Sequence, residues 1–106
     1  MSQPAKRKKF KDPAVEEYML GKCFKQWLGI QPAEKARWRI KVVVNARDKR
    51  DFHIFSGFRL EPIEAVKDYY SIRIGGQWRC FFLWENNQAW EIEISKHDYK
   101  KMRSRY

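Results

Sequence analysis

Two turn dipeptides divide the C-terminal half of the sequence into three apolar segments, and this arrangement constrains the fold more than any other feature. Gly75-Gly76 separates two segments rich in β-branched and aromatic residues within the stretch from Tyr70 to Trp84. Glycine adopts the positive φ angles that a two-residue hairpin turn requires. The second turn is Asn86-Asn87, and asparagine tolerates the same left-handed geometry. The sequence therefore predicts a three-stranded antiparallel meander that ends near Ile94.

The third segment of this meander alternates in polarity. Trp90, Ile92 and Ile94 are separated by Glu91 and Glu93. Successive side chains of a strand point to opposite faces of a sheet. The pattern therefore predicts one buried face, formed by the three apolar residues, and one solvated face.

The N-terminal half has helical periodicity. Asp12-Pro13 is a typical helix start, because the carboxylate can cap free N–H groups and proline suits the first helical position. The apolar spacing that follows predicts a helix over 13–28, interrupted at Gly21, and a second helix over 32–50. The apolar face of the second helix is formed by Ala33, Ala36, Ile40, Val43 and Val44. Two helices on one side of a twisted antiparallel sheet make an α+β domain.

Length and charge limit the classes of protein to consider. A chain of 106 residues is large enough for one modest core. The self-repelling basic residues near the N-terminus predict a flexible segment over 1–8, followed by a single domain over 9–106. A net charge of +10 attracts polyanions or acidic proteins, and charge alone does not choose between them.

The apolar segments, the N-terminus and the cysteines indicate the cellular compartment of the protein. No apolar run approaches the length of a membrane span, and the basic start is followed by Lys-Asp-Pro rather than by the apolar region of a signal peptide. We therefore expect a cytoplasmic protein. Cys23 and Cys80 are far apart and lack metal-ligand spacing, so free thiols are favoured over a disulfide.

The string from Ser71 to Arg79, Ser-Ile-Arg-Ile-Gly-Gly-Gln-Trp-Arg, resembles the hairpin of the HigB branch of the RelE/ParE superfamily of bacterial toxins. Further counterparts are Phe10-Lys11-Asp12, Arg59-Leu60-Glu61 and the strand from Trp90 to Ile94. The resemblance implies a RelE/ParE-like fold, with two N-terminal helices on a sheet of about four strands and a short C-terminal tail or helix. It also implies that residues 8–11 form an edge strand.

The resemblance further implies a function. HigB toxins belong to type II toxin–antitoxin systems and act as ribosome-dependent endoribonucleases, which cut messenger RNA by attack of the adjacent ribose 2′-hydroxyl. Neither a metal nor another cofactor is implied. The implied partners are a HigA-like helix-turn-helix antitoxin, the ribosome and mRNA, with operator DNA contacted only through the antitoxin and no membrane. Two alternatives are a ParE-like gyrase inhibitor and a homologue that only binds its antitoxin.

Four residues are candidates for catalysis. Arg79 occupies the Trp-Arg position of the hairpin and is predicted to contact phosphate through its planar guanidinium; the alternative is an ordinary strand arginine. Glu61 is a candidate general base, or alternatively forms a salt bridge to Arg59 or Arg79. His97 can protonate the leaving group near neutral pH, and Tyr99 can stack on a base or bind phosphate; the alternative is a solvated tail.

A further set of cations is predicted to bind RNA, and each phosphate that they neutralise releases counterions. The set consists of Arg59, Arg73, Lys96, Lys100 and Lys101. Which of Arg73 and Arg79 faces the RNA depends on the hairpin. A plain turn at Gly75-Gly76 pairs Arg79 with Ile72, whereas a bulge changes the pairing.

Overall fold

A four-stranded antiparallel sheet with two helices on one face forms the fold. The computed structural model describes residues 7–53 and 57–96. The helices are α1 (Pro13–Met19) and α2 (Ala33–Asn45), and the strands are β1 (Glu61–Pro62), β2 (Tyr69–Gly75), β3 (Trp78–Glu85) and β4 (Gln88–Lys96). The strand order is β1-β2-β3-β4. The predicted α+β architecture is confirmed.

Helix α1 begins as the sequence predicts and ends earlier. Asp12 Oδ1 accepts a hydrogen bond of 3.0 Å from the Ala14 amide, and proline occupies the first turn. The helix ends at Met19, just before Gly21, whose φ of 115° is incompatible with a right-handed helix. The remainder of the predicted segment forms only a 3₁₀ turn over Lys25–Trp27.

Helix α2 ends at Asn45, five residues before the predicted boundary at Arg50. Two aspartates explain the difference. Asp51 Oδ2 accepts from the amides of Arg47 and Asp48, and Asp48 Oδ1 accepts from the Arg50 amide. These side chains satisfy backbone donors outside a helix and so compete with its continuation. A 3₁₀ turn over Lys49–His53 follows.

The core lies between the helices and one face of the sheet. Ala36, Ile40 and Val43 of α2 are fully buried in a cluster with Ile72 and Ile74 of β2. Phe52 extends this cluster, since its ring lies 5.2 Å from Phe82 and 5.6 Å from Trp84 between centroids. No helix in the described part of the chain has the length and apolarity needed to cross a bilayer.

The two hairpins differ in how closely they follow the prediction. Asn86 and Asn87 have φ angles of 53° and 57°, as expected for a left-handed two-residue turn. In the first hairpin Gly75 pairs with Trp78, and the register shifts between Arg73 and Gly75. The turn is therefore Gly76-Gln77 rather than Gly75-Gly76, and a bulge pairs Arg73 with Arg79.

A second bulge changes the predicted pattern of β4. The register shifts between Phe81 and Leu83, and Glu91 has a φ of 55°. Trp90 consequently pairs with Leu83, while the adjacent Ala89 pairs with the buried Trp84. The expectation that Trp90 shares the buried face of Ile92 is wrong, because the bulge inserts one residue and reverses the alternation.

The face of the sheet away from the helices is called the outer face below. Strand alternation and register assign to it Glu61, Tyr69, Ser71, Arg73, Arg79, Phe81, Leu83, Trp90, Glu93 and Ser95. Residues 8–11 extend the sheet beyond β4 through a parallel bridge between Phe10 and Ile92. The amides of Glu91 and Ile92 donate to the carbonyls of Lys8 and Lys9.

Candidate active site

Arg79 is fixed on the outer face by neighbouring oxygen atoms. Its Nε donates to Ser71 Oγ at 2.8 Å and its Nη2 donates to the Ser71 carbonyl at 3.1 Å. A further hydrogen bond runs from Nη2 to the Arg59 carbonyl. Only 5% of the Arg79 surface is exposed. The guanidinium is therefore held in one orientation, which is the precondition for acting on a charged group without reorganisation.

The segment before β1 supplies one of these oxygens. Phe58 O accepts a hydrogen bond of 2.7 Å from the Arg73 amide, so this segment runs beside β2. Arg59 follows with a φ of 48°, an uncommon value for a residue with a side chain. Its carbonyl contacts Arg79, while its own side chain is exposed. The structure therefore places the backbone of Arg59, a predicted RNA-binding residue, in the Arg79 site.

Glu61 is the carboxylate of this site. It pairs with Ser71 in the β1–β2 ladder, and its Oε2 lies 3.8 Å from Arg79 Nη2. The Glu61 side chain is 34% exposed. A salt bridge to Arg79 was one of the two roles predicted for Glu61, and this pair is present. A carboxylate at that distance beside a fixed guanidinium also has the chemistry of a proton acceptor.

Arg73 and Arg79 are direct cross-strand partners. The Arg73 amide donates to Phe58 O and its carbonyl accepts from Arg39 Nη1, so the backbone of Arg73 is engaged away from β3. Like charges at opposed positions destabilise a sheet. The two side chains differ in surroundings, because Arg79 is buried beside Glu61 whereas Arg73 is half-buried and lines a cleft at the edge of β2.

Lys96 is not brought together with Arg79. It pairs with Trp78 at the end of β4, and its Nζ lies 5.3 Å from the centroid of the Trp78 ring. The preceding residue, Ser95, is the one that pairs with Arg79. Alternation along the strand therefore directs Lys96 to the face opposite Arg79.

The remaining predicted site residues lie outside the described part of the chain. These are His97, Tyr99, Lys100 and Lys101. Their roles stay predictions.

Two residues that shape the site, Ser71 and Arg39, were not predicted from the sequence. Ser71 is fully buried and binds Arg79, and nothing in a strand sequence distinguishes such a serine from an ordinary one. Arg39 is 6% exposed and donates to the Arg73 carbonyl. A signal for Arg39 exists, since it lies three residues after Ala36 and four before Val43, on the apolar stripe of α2.

The helix layer, the antiparallel meander and an arginine anchored on the outer face define an α+β domain of the RelE-like toxin class. A family model described as the RelE-like toxin of the type II toxin–antitoxin system HigB matches residues 8–97. The chain therefore belongs to the HigB-like toxin family and is the toxin of a type II toxin–antitoxin system. Membership of this family implies an antitoxin partner. A comparison with curated proteins finds no match.

Proposed function

We propose that this toxin is a ribosome-dependent endoribonuclease that cuts messenger RNA. The observation that carries the proposal is the pairing of a buried, oriented guanidinium, Arg79, with the carboxylate of Glu61 at 3.8 Å. A fixed cation beside a proton acceptor supplies two of the groups that phosphodiester cleavage requires. Membership of the HigB-like family supports the same reading.

The proposed reaction uses a nucleophile from the RNA itself. The 2′-oxygen attacks the adjacent phosphorus, the bond from phosphorus to the 5′-oxygen breaks, and the products end in a 2′,3′-cyclic phosphate and a 5′-hydroxyl. Glu61 takes the proton of the 2′-hydroxyl, and Arg79 stabilises the charge that develops on the phosphorane. His97 protonates the departing 5′-oxygen, and Tyr99 stacks on a base beside the cut.

The proposed role of Arg79 depends on its preorganisation. Ser71 and Arg59 engage three of the five guanidinium N–H donors. The orientation of the charge is thus set before RNA arrives. In a site largely withdrawn from water, a fixed positive charge stabilises developing negative charge more strongly than a mobile surface cation does.

The wider surface supports binding of a polyanion. The chain carries 23 lysines and arginines against 13 acidic residues. In the proposed complex Arg59, Arg73, Lys100 and Lys101 add positive charge toward messenger and ribosomal RNA, and Lys96, on the face opposite Arg79, adds charge toward ribosomal RNA. This charge favours fast association and strong salt dependence. We further propose a HigA-like helix-turn-helix antitoxin that alone contacts operator DNA, and a cytoplasmic site of action.

The test combines two assays on the purified full-length protein. Programmed ribosomes carrying a defined message are incubated with the toxin, and cleavage sites are mapped by primer extension. Codon-specific cuts are expected, and a message with a 2′-deoxynucleotide at the cut position should resist cleavage. In parallel, DNA supercoiling by gyrase is measured. Gyrase inhibition with intact messages would overturn the nuclease proposal.

Matched arginine variants locate the activity. Arg79→Ala should abolish cleavage. Arg50→Ala is the control, because Arg50 is an exposed arginine that contacts only the nearby Asp48 among the ion pairs of the described residues. Thermal unfolding of both variants separates lost chemistry from lost folding, and Arg79→Lys retains a cation in case the alanine variant does not fold. Equal activity of the Arg79 and Arg50 variants would exclude the proposed site.

A further inference from the structure

A second cationic site lies outside the Arg79 cluster, in a cleft of about 400 Å³ at the edge of β2. Its walls come from the start of α2 and from the first hairpin. Three of its nine lining residues are cations, Lys35, Arg39 and Arg73, and none of those nine is acidic. The volume suits a nucleotide-sized group rather than a single water molecule.

Arg39 is the least exposed cation of this cleft. Its Nη1 donates to the Arg73 carbonyl at 3.1 Å, and its guanidinium carbon lies 5.3 Å from the centroid of the Phe58 ring. Its Nε is buried and has no hydrogen-bond acceptor in the described part of the chain. Burial and the charge of Arg73 both lower the pKa of Arg39. A buried guanidinium with an orphaned donor gains stability from an anion.

The other two cations flank Arg39. Lys35 precedes it by one helical turn on α2 and is exposed, and Arg73 lies across the cleft on β2. No carboxylate among the described residues forms an ion pair with any of the three. Three cations therefore line one cleft without a compensating carboxylate among the described residues, and this arrangement favours a bound anion.

We propose that this cleft is a phosphate-binding subsite for the RNA strand, separate from the position at which Arg79 acts. The inference rests on the proposed function, since it assigns the cleft to a neighbouring phosphate of the same RNA. The direct pairing of Arg73 with Arg79 links the two sites across one rung of the sheet. A nucleic acid strand carries a negative charge at every nucleotide, so one strand neutralises both sites; a single acidic side chain of a protein neutralises one.

The test measures binding of a short fluorescein-labelled single-stranded RNA to the full-length protein by fluorescence anisotropy. Lys35→Glu should weaken binding by about ten-fold, because it reverses a charge in the cleft. The matched control is Lys41→Glu, the same change at an exposed position of α2 that does not line the cleft. It should alter the affinity by about two-fold or less, as expected for a change in net charge alone.

A salt titration adds a second readout. For single-stranded RNA, loss of one phosphate contact reduces the slope of log K against log salt by about 0.7. Lys35→Ala should show this reduction, whereas Lys41→Ala should keep the wild-type slope. Both lysines are exposed, so thermal unfolding of the variants should match the wild type.

The outcomes separate the subsite from the proposed nuclease. Equal effects of the substitutions at Lys35 and Lys41 on RNA affinity would overturn the subsite. It would also be overturned if Lys35→Glu weakened antitoxin binding and left RNA binding unchanged, because that result would assign the cleft to an acidic segment of a protein. If wild-type toxin cuts programmed messages and Lys35→Glu binds RNA normally, the subsite fails while the nuclease stands. Selective loss of RNA binding by Lys35→Glu supports the subsite even if the wild type cuts nothing.

Discussion

Arg79 Nε donates a hydrogen bond of 2.8 Å to Ser71 Oγ, and both side chains are buried on the outer face of the sheet. Ser71 pairs with Phe81, whereas Arg79 pairs with Arg73, so this bond runs diagonally across the ladder. It draws the guanidinium of Arg79 toward β1, where the Arg59 carbonyl and Glu61 lie. The diagonal bond thus holds Arg79 beside a carboxylate although its direct partner is another arginine.

Removing the Ser71 hydroxyl should loosen Arg79. Ser71→Ala leaves the buried Nε without its acceptor, which costs about 1–3 kcal/mol of unfolding free energy. We expect the cleavage rate at saturating ribosomes to fall by about ten-fold or more, with little change in the apparent KM, because the charge is displaced rather than lost. Urea unfolding and single-turnover cleavage measure the two effects.

Ser95→Ala is the control for Ser71. Ser95 pairs with Arg79 from the other neighbouring strand and is exposed, and its hydroxyl contacts only the Lys96 carbonyl among the hydrogen bonds of the described residues. It should behave as the wild type. Wild-type cleavage by Ser71→Ala would show that the hydroxyl does not position Arg79.

Glu61→Gln distinguishes a general base from a structural ion pair. The substitution keeps size and removes the proton acceptor, so cleavage should fall by about 10²–10⁴-fold. Urea unfolding of the variant separates loss of the proton acceptor from loss of stability, because the substitution also changes the partner of the buried Arg79 guanidinium.

Glu64→Gln is the matched carboxylate control, since Glu64 is exposed three residues further along the chain. Its variant should retain the wild-type cleavage rate. If Glu61→Gln keeps the wild-type cleavage rate, then Glu61 serves only as a partner of Arg79 and another group accepts the 2′-hydroxyl proton.

The parts of the fold that follow from local signals were predicted from the sequence. The Asp12 cap and the Asn86-Asn87 turn depend on residues within one turn of each other, and both are present. The end of α2 and the first hairpin were not predicted. The former depends on competing hydrogen bonds from Asp48 and Asp51, and the latter on packing of Gly75 against a distant segment.

The candidate site also contains residues that were predicted from the sequence and residues that were not. Arg79 and Glu61 were named through the family resemblance, because no local pattern reveals that two residues on separate strands meet. Their pairing required the bulge before Gly75, which sequence alone left open. Ser71 was missed because its role lies entirely in a cross-strand contact, and Arg39 because charged residues on helices are usually solvated.

The two cysteines should differ sharply in reactivity. Cys23 is exposed and Cys80 is fully buried in the core. Burial raises the pKa of the Cys80 thiol far above its ordinary value, so this thiol stays protonated as well as shielded. Iodoacetamide should label one thiol in the native protein and two in denaturant, as counted by mass spectrometry. Raising the pH from 7 to 9 should leave Cys80 unlabelled in the native protein; native labelling of Cys80 at a rate similar to that of Cys23 would contradict the buried assignment.

The first hairpin depends on the absence of a side chain at Gly75. A Cβ at this position would lie 3.1 Å from the Gln31 carbonyl oxygen and 3.2 Å from Ile30 Cγ2. Gly75→Ala should therefore destabilise the fold by about 1–3 kcal/mol, because the Gln31 backbone and the Ile30 side chain must give way by a few tenths of an ångström. The comparison is Gly76→Asn, at a φ of 54° with no heavy atom near the added Cβ, which asparagine tolerates at smaller cost. In urea unfolding, Gly75→Ala should be clearly less stable than Gly76→Asn. Gly75→Ala should also cleave messenger RNA more slowly, because the hairpin sets the register of Arg79. Equal stability of the two variants would mean that contact with the segment before α2 does not determine this turn.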